Sequence, residues 1–176
     1  MTTIAFDGKT LASDSQLTAG TLRLDTNTKK IYQPEPTEQW VVDGKRAIAF
    51  GVAGSLGATE IVHGALRSVM SGYSGLNSTT RFIKGESLKY IVITESGEVY
   101  AGGQYSDDEV PWIAKVQPPI AVGSGSEYAL GAMAAGVSAA EAVRIAMRFD
   151  VNTGGDIQTI DIKTEVNHAG VRSTQA

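Results

Sequence analysis

Residues 1–16, MTTIAFDGKTLASDSQ, decide how the fold begins. Two short apolar runs, Thr3–Phe6 and Thr10–Ser13, flank the dipeptide Asp7-Gly8. Asp-Gly favours the positive φ angles of a type I′ turn, so this pattern predicts a tight antiparallel hairpin. Thr2 stands immediately before the first strand. It is either an ordinary residue entering that strand or the reactive end of the processed chain.

Two more hairpins follow from the same pattern: Trp40–Val42 with Ala47–Phe50 around Asp43-Gly44, and Tyr90–Ile93 with Val99–Ala101 around Ser96-Gly97. A last strand is predicted over residues 157–162, after Gly154-Gly155. The order of hairpins, helix, hairpin, two helices and strand differs from the βαβ alternation of a parallel sheet. The sequence therefore predicts an α+β fold with helices on the outer faces of antiparallel sheets.

Three helices are predicted. The first has an apolar stripe at helical spacing, made of Ala58, Ile61, Val62, Ala65, Leu66 and Val69. Ser55 is its expected N-cap and Gly72 its expected end. The second covers the alanine-rich residues 126–135, and the third begins at the capping box Ser138–Glu141.

Composition restricts the class of protein. The chain has 176 residues, 42% of them hydrophobic, which is enough for one domain, expected over residues 1–166, with a polar tail at 167–176. A net charge of -4 gives no electrostatic reason to expect nucleic acid or an anionic membrane as a partner. The absence of cysteine excludes disulfides and thiol catalysis. Because no signal peptide or membrane-spanning run is visible, we expect a cytoplasmic protein.

Several residues that often carry chemistry have simpler interpretations here. His63 and His168 are expected to be solvated surface residues, and neither has a second ligand at metal-binding spacing, so no metal or other cofactor is predicted. The glycines of 51–57 and 123–125 lack the sequence context of a nucleotide-binding loop. Both stretches nevertheless lie where a strand gives way to a helix, so their backbone N–H groups could serve an oxyanion.

Thr2 has the chemistry of a self-sufficient nucleophile once Met1 has been removed. Its free α-amino group, with an unperturbed pKa of about 7.7 to 8.0, can then accept the proton of its own hydroxyl. A lysine nearby would keep this amine neutral by charge repulsion, and a carboxylate would hold that lysine in place. Lys30 and Asp14 have the required types, although on residue type alone each is more simply a surface charge.

Six motifs, in order, resemble those of proteasome β-type subunits and of the bacterial HslV peptidase, which are N-terminal-nucleophile hydrolases. They are Thr2-Thr3-Ile4, Ala12–Gln16, Lys30-Ile31, Val52–Ser55, Ala121–Gly125 and Phe149–Gly155. The resemblance covers residues 2–165. It implies a four-layer αββα sandwich, threonine peptidase activity on unfolded polypeptides, and assembly of identical subunits into stacked rings. Because the family's chambers are fed by ring ATPases, it also implies an ATPase unfoldase as a partner.

The resemblance implies a role for each of ten residues: Thr2 as nucleophile, Lys30 beside it, Asp14 holding that lysine, Gly54 as oxyanion donor, Ser124 near the amine, Asp150 and Thr153 as its support, Thr18 on the substrate backbone, and Val52 and Leu56 in the specificity pocket. Apolar Val52 and Leu56 favour cleavage after apolar side chains. Thr153 departs from the more common serine, and the first hairpin is shorter than is usual in the family.

Activity depends on the removal of Met1, because an acylated Thr2 nitrogen cannot act as a base. Three hypotheses therefore remain open from the sequence. The chain is a threonine peptidase, a catalytically silent ring-forming scaffold that retains Met1, or an N-terminal-nucleophile amidase that acts on a small molecule.

Overall fold

The computed structural model describes residues 2–67, 75–108 and 110–163. Within these ranges the strands are β1 Thr3–Phe6, β2 Thr10–Ser13, β3 Leu17–Ala19, β4 Leu22–Asp25, β5 Ile31–Tyr32, β6 Trp40–Val42, β7 Lys45–Gly54, β8 Leu88–Thr94, β9 Val99–Gln104, β10 Trp112–Val116, β11 Ile120–Gly123 and β12 Gln158–Asp161. The helices are α1 Ala58–Arg67, α2 Ser126–Ala134 and α3 Ala139–Ala146. The fold is a mixture of helices and sheets, as the sequence predicts.

Two antiparallel sheets form the body of the fold. The first has the order β11-β1-β2-β12, and the second has the order β10-β9-β8-β7-β5, with β6 also paired to β7. Strands β3 and β4 form a separate hairpin. Within the first sheet, Ile4 lies opposite both Val122 and Ser13, so β1 is an inner strand. The N-terminal end of β1 therefore lies beside the loop that leads from β11 to α2.

Three clusters of buried side chains make up the core. One lies between α1 and the second sheet and is built around Trp40, Phe50 and Leu66. A second joins residues of both sheets, including Ile4 and Ile91. The third is alanine-rich and lies where α2 and α3 pack on the first sheet. Small side chains at this third contact allow the helices to approach the sheet closely.

The three predicted hairpins are present, but only one of the two Asp-Gly turns has the predicted geometry. Asp43 and Gly44 have φ angles of 49° and 74°, as a type I′ turn requires. In the first hairpin Gly8 has a positive φ and Asp7 does not, so the prediction of a type I′ turn there is wrong. The Asp7 carboxylate instead accepts hydrogen bonds from the backbone N–H groups of Thr10 and Ala139, at 2.8 Å each. This carboxylate thereby ties the turn to the start of α3.

The Ser138 N-cap of α3 is confirmed, because the Ser138 hydroxyl accepts a hydrogen bond from the N–H of Glu141 at 3.3 Å. The Glu141 carboxylate, which would complete the capping box, binds Arg144 instead. The N-cap predicted for α1 is wrong. Helix α1 begins at Ala58, and the Ser55 hydroxyl donates to the carboxylate of Glu86 instead. Gly72, the expected end of α1, lies outside the described residues, as do Val69, His168 and the tail at 167–176.

The prediction that His63 is a solvated surface residue is wrong. Its side chain is 23% exposed, and its ring packs against Trp40 and Phe50 at centroid distances of 5.2 and 5.9 Å. The Glu38 carboxylate lies 3.6 Å from its Nε2 atom. Helix α1 is turned so that this polar position faces the aromatic side chains of β6 and β7. Among the described residues, no helix is both long and apolar enough to cross a membrane.

Candidate active site

The peptide unit that joins Thr2 to Thr3 is held on both sides. Its carbonyl, the oxygen of Thr2, accepts a hydrogen bond from the N–H of Ser124 at 2.9 Å. Its N–H, on Thr3, donates to Oδ1 of Asp14 at 2.9 Å. Thr2 itself is 5% exposed and lies at the wall of a cavity. The two bonds fix the orientation of the backbone from which the Thr2 side chain projects.

Asp14 and Lys30 form a buried ion pair next to this peptide unit. The Lys30 ammonium donates to both carboxylate oxygens of Asp14, at 2.9 and 3.0 Å, and to the carbonyl of Gln16 at 2.6 Å. The other lone pairs of Asp14 are used as well, because its Oδ2 accepts from the N–H groups of Gln16 and Gly154. A buried, charged carboxylate requires hydrogen-bond donors for both of its oxygens, and Asp14 has them.

The pKa of Lys30 lies below its ordinary value of 10.5. Burial is the main cause, since it disfavours the charged form, while the negative charges of Asp14 and Asp150 oppose the shift. The ammonium is therefore more easily deprotonated than that of a surface lysine. The pair is a close, fully hydrogen-bonded contact in a nearly water-free position.

A second hydrogen-bonded group lies on the other side of Thr3. Oδ2 of Asp150 accepts from the hydroxyls of Ser124 and Thr153, at 2.6 Å each. The Thr153 hydroxyl also lies 2.7 Å from that of Thr3. Burial raises the pKa of Asp150, but these hydrogen bonds outweigh it and hold the pKa below its usual range. Asp150 is therefore ionised at neutral pH and fixes the hydroxyls around it.

Glycine is required where backbone segments meet at this site. A side-chain Cβ on Gly123 would lie 1.8 Å from the carbonyl oxygen of Thr2, and the φ of Gly123 is 103°. A Cβ on Gly54 would lie 2.4 Å from the carbonyl oxygen of Ser87. Both glycines line the cavity at Thr2. Their backbone is thereby left accessible to whatever binds there.

We expect the substitution Gly123→Ala to separate β11 from Thr2. The new methyl group would displace the Thr2 carbonyl, which costs roughly 3 kcal/mol from the clash and the positive φ combined. Urea unfolding should show this as a lowered midpoint. The matched control is Gly131→Ala in α2, where a Cβ meets nothing within 4 Å. This variant should be about 0.5 to 1 kcal/mol more stable than the parent protein, and equal midpoints for the two variants would contradict the expectation.

Residues implied in substrate binding are not all at this cavity. Of the described residues, those that line it are Thr2, Ala53, Gly54, Ser87, Leu88, Lys89, Tyr105, Gly123 and Ser124. Val52 is buried in the core under α1, and Leu56 is 72% exposed in the turn before that helix. Thr18, in β3, lines a separate cavity together with Gln16 and Asn152. Neither Val52 nor Leu56 contributes to the cavity that contains Thr2.

Two residues of the site carry more contacts than the sequence analysis gave them. Thr3 contributes its hydroxyl to the Asp150 group and its N–H to Asp14. Gln16 is 2% exposed; its carbonyl accepts from Lys30 and its side-chain amide donates to the carbonyl of Val151 at 3.0 Å. Gln16 thus connects the ion pair to the loop that carries Asp150. The threonine pair at the start was a visible signal for Thr3, whereas nothing in the sequence pattern singled out the Gln16 side chain.

Comparison with known proteins places the fold. Neither protein-family models nor curated protein sequences gave a match. Among solved structures, BPH of Thiobacillus denitrificans in complex with epoxomicin is 17% identical, with a TM-score of 0.56 over 92% of this chain and 97% of that chain. The Anbu chain from Pseudomonas aeruginosa, solved as the helical assembly of the Anbu complex, is 12% identical in sequence. It has a TM-score of 0.56 over 92% of this chain and 80% of that chain.

A Gly-1 mutant of Anbu from Hyphomicrobium sp. strain MC1 is also similar. It is 14% identical, with a TM-score of 0.58 over 93% of this chain and 82% of that chain. At such identities the likeness concerns the fold alone. The chain therefore shares its fold with BPH of Thiobacillus denitrificans and with the Anbu proteins.

Proposed function

We propose that this chain is a threonine-type endopeptidase in which Thr2, exposed by removal of Met1, is the nucleophile. One observation carries the proposal: the peptide unit between Thr2 and Thr3 is bound by Ser124 on one side and by Asp14, the partner of buried Lys30, on the other. An ordinary strand residue needs no such buried ion pair beside it. Perturbed, buried charges next to a cavity are typical of functional sites.

In the proposed acylation step, the free amine of Thr2 takes the proton of its own hydroxyl as the oxygen attacks the substrate's carbonyl carbon. The resulting oxyanion accepts a hydrogen bond from the N–H of Gly54. The amine then passes the proton to the leaving nitrogen, the C–N bond breaks, and the acyl group remains as an ester on Thr2. The Lys30 ammonium favours the neutral, basic form of the amine throughout.

Deacylation reverses these roles with water as the nucleophile. The amine accepts a proton from water, the hydroxide oxygen attacks the ester carbonyl, and the Thr2 oxygen recovers a proton as it leaves. Ser124, held by ionised Asp150, is proposed to orient the amine, with Thr153 as further support. Thr18 is proposed to bind the substrate backbone.

We also propose the four-layer αββα arrangement. Its support is the spatial order of the three core clusters. In the first, α1 packs on the second sheet; the next lies between the two sheets; and in the third, α2 and α3 pack on the first sheet. Self-association is proposed because an Anbu neighbour was solved as a helical assembly. Stacked rings of identical subunits, a ring ATPase that supplies unfolded polypeptides, and a cytoplasmic location rest on the sequence resemblance alone.

A catalytically silent scaffold is the second candidate. It is favoured by the assembly of the Anbu neighbour, since self-association needs no free Thr2 amine. The two candidates differ in whether Met1 is removed and whether Thr2 reacts. A small-molecule amidase would share the reactive Thr2 but would not cleave peptides.

Intact-mass measurement with epoxomicin, the compound in the BPH complex, tests the proposal. We expect the purified chain to lack the mass of Met1 and to gain the mass of one epoxomicin, with the adduct mapped to Thr2. Peptide substrates should be turned over and small amides should not. Retention of Met1 with no labelling would instead identify the scaffold, and labelling with turnover of small amides only would identify the amidase.

A further inference from the structure

Among the described residues that line the cavity at Thr2, Lys89 is the one with a charged side chain. The cavity has a volume of about 230 Å³. This is below the roughly 300 to 1,000 Å³ of typical small-molecule sites, so the cavity fits one side chain of a longer substrate. Because the cavity lies directly beside the proposed nucleophile, the side chain that it holds would belong to a substrate residue next to the scissile bond.

Lys89 has a firmly placed backbone, and no carboxylate of the described residues pairs with its ammonium. It lies in β8, paired with Ala53 on β7 and Gly103 on β9, so its main chain is inside the second sheet. Its Nζ lies 5.1 Å from the centre of the Tyr105 ring, a cation–π contact that leaves its hydrogen-bond donors available. Lys89 forms no ion pair within the part of the chain that the structure describes.

Two acidic side chains close in sequence to residues of the cavity, Glu86 and Asp108, have hydrogen-bond partners of their own. The carboxylate of Glu86 accepts from the Ser55 hydroxyl, and that of Asp108 accepts from the N–H of Tyr105 at 2.8 Å. Other lysines of the second sheet differ from Lys89 in this respect, because Lys45 and Lys115 both bind Glu98. Of the lysines in the described strands of the second sheet, Lys89 is therefore the one whose ammonium is available to a negative charge from outside.

We propose that this cavity is a substrate subsite that selects an acidic side chain, aspartate or glutamate, at a residue flanking the scissile bond. The inference rests on the proposed peptidase function and adds a substrate class to it. The carboxylate of the substrate binds the Lys89 ammonium, and the aliphatic part of the side chain lies against Ala53 and the Tyr105 ring. Apolar cavity walls strengthen this charge pairing by excluding water.

Matched peptides test the subsite. Each pair differs only in Asp against Asn, placed in turn at the two positions that flank the cleaved bond. We expect the parent enzyme to cleave the Asp member with a kcat/KM about fivefold higher or more at one of these positions. In Lys89→Gln and Lys89→Met the ratio should fall to about one, and in Lys89→Glu it should fall below one. Lys9→Gln, a loss of the same charge at an exposed hairpin residue, should keep the parent ratio.

The outcomes separate this inference from the function on which it rests. Equal cleavage of Asp and Asn peptides by the parent enzyme, or an unchanged preference in Lys89→Gln, would overturn the subsite while Thr2-dependent cleavage still stands. Absence of any cleavage by chains that lack Met1 would overturn both. Because Lys89→Gln and Lys89→Met remove the charge through different side chains, a folding defect in one of them is detected by comparison with the other.

Discussion

Substitution of Thr2 by alanine is expected to lower kcat/KM for peptide cleavage by at least about 10³-fold, because it removes the only oxygen that can form the acyl ester. Alanine is as small as the processing step requires, so Met1 should still be removed and the amine should still be free. Peptide turnover and epoxomicin labelling, with intact mass measured in parallel, check both points. Labelling should disappear together with turnover.

Thr2→Ser is the matched control, because it restores a hydroxyl on the same backbone. The contacts that position residue 2 are those of its peptide unit with Ser124 and Asp14, and both variants retain them. We therefore expect the free energy of unfolding and the assembly state to change little in either variant. Unchanged turnover in Thr2→Ala would remove Thr2 from the mechanism, whereas loss of assembly in Thr2→Ala alone would indicate a structural role for the hydroxyl.

Local sequence patterns correctly predicted the turns and helix caps whose geometry depends on residues close together in the chain. Asp43-Gly44 forms its turn because both residues adopt positive φ, and Ser138 caps α3 through a contact three residues away. The first hairpin differs, since the Asp7 carboxylate is drawn to the start of α3, far along the chain. Sequence spacing contains no information about that partner.

Strand β10 was not predicted, and β11 was predicted only as a strand without bounds that leads into residues 123–125. Pro118 and Pro119 separate them, and β11 is defined by β1, where Thr3 lies opposite Gly123. The exposed hairpin of β3 and β4 was missed for a different reason. Its strands lie outside both main sheets, so they lack the buried, regularly apolar face that marks a strand in sequence.

The candidate site likewise depends on contacts between residues that are distant in the chain. Residue type alone left Asp14 and Lys30 as two ordinary charges, and only the order of motifs, through the family resemblance, suggested that they meet. Val52 and Leu56 were predicted to shape the specificity pocket because they flank Gly54 in the sequence. Val52 packs under α1, whereas Ala53 lines the cavity at Thr2, because successive side chains of a strand point to opposite faces.

Replacement of Lys30 by methionine is expected to abolish peptide cleavage and also to destabilise the fold. The Thr2 amine would lose the nearby positive charge that keeps the amine neutral, and the fully buried Asp14 would lose its ammonium partner. Breaking a buried pair in this way costs about 3 to 5 kcal/mol. Turnover per folded protomer and urea unfolding measure the two effects separately.

Lys115→Met is the matched control, since it removes an ammonium from an exposed pair with Glu98. Surface pairs contribute about 0 to 1 kcal/mol, so stability should change little and turnover should be retained. Equally small losses of stability and turnover in the two variants would show that Lys30 contributes no more than a surface lysine does. Folded Lys30→Met that still cleaves peptides would exclude Lys30 from the mechanism.

The pH dependence of the parent enzyme distinguishes a catalytic from a merely structural Lys30. Burial lowers the pKa of Lys30 below 10.5, so its ammonium is lost at a lower pH in the folded protein than in the unfolded chain. As pH rises through that lowered pKa, kcat/KM should fall, because the charge beside the Thr2 amine disappears. Activity that declines while the protein is still folded is what a functional ammonium requires, since a purely structural one would leave turnover unaffected until unfolding.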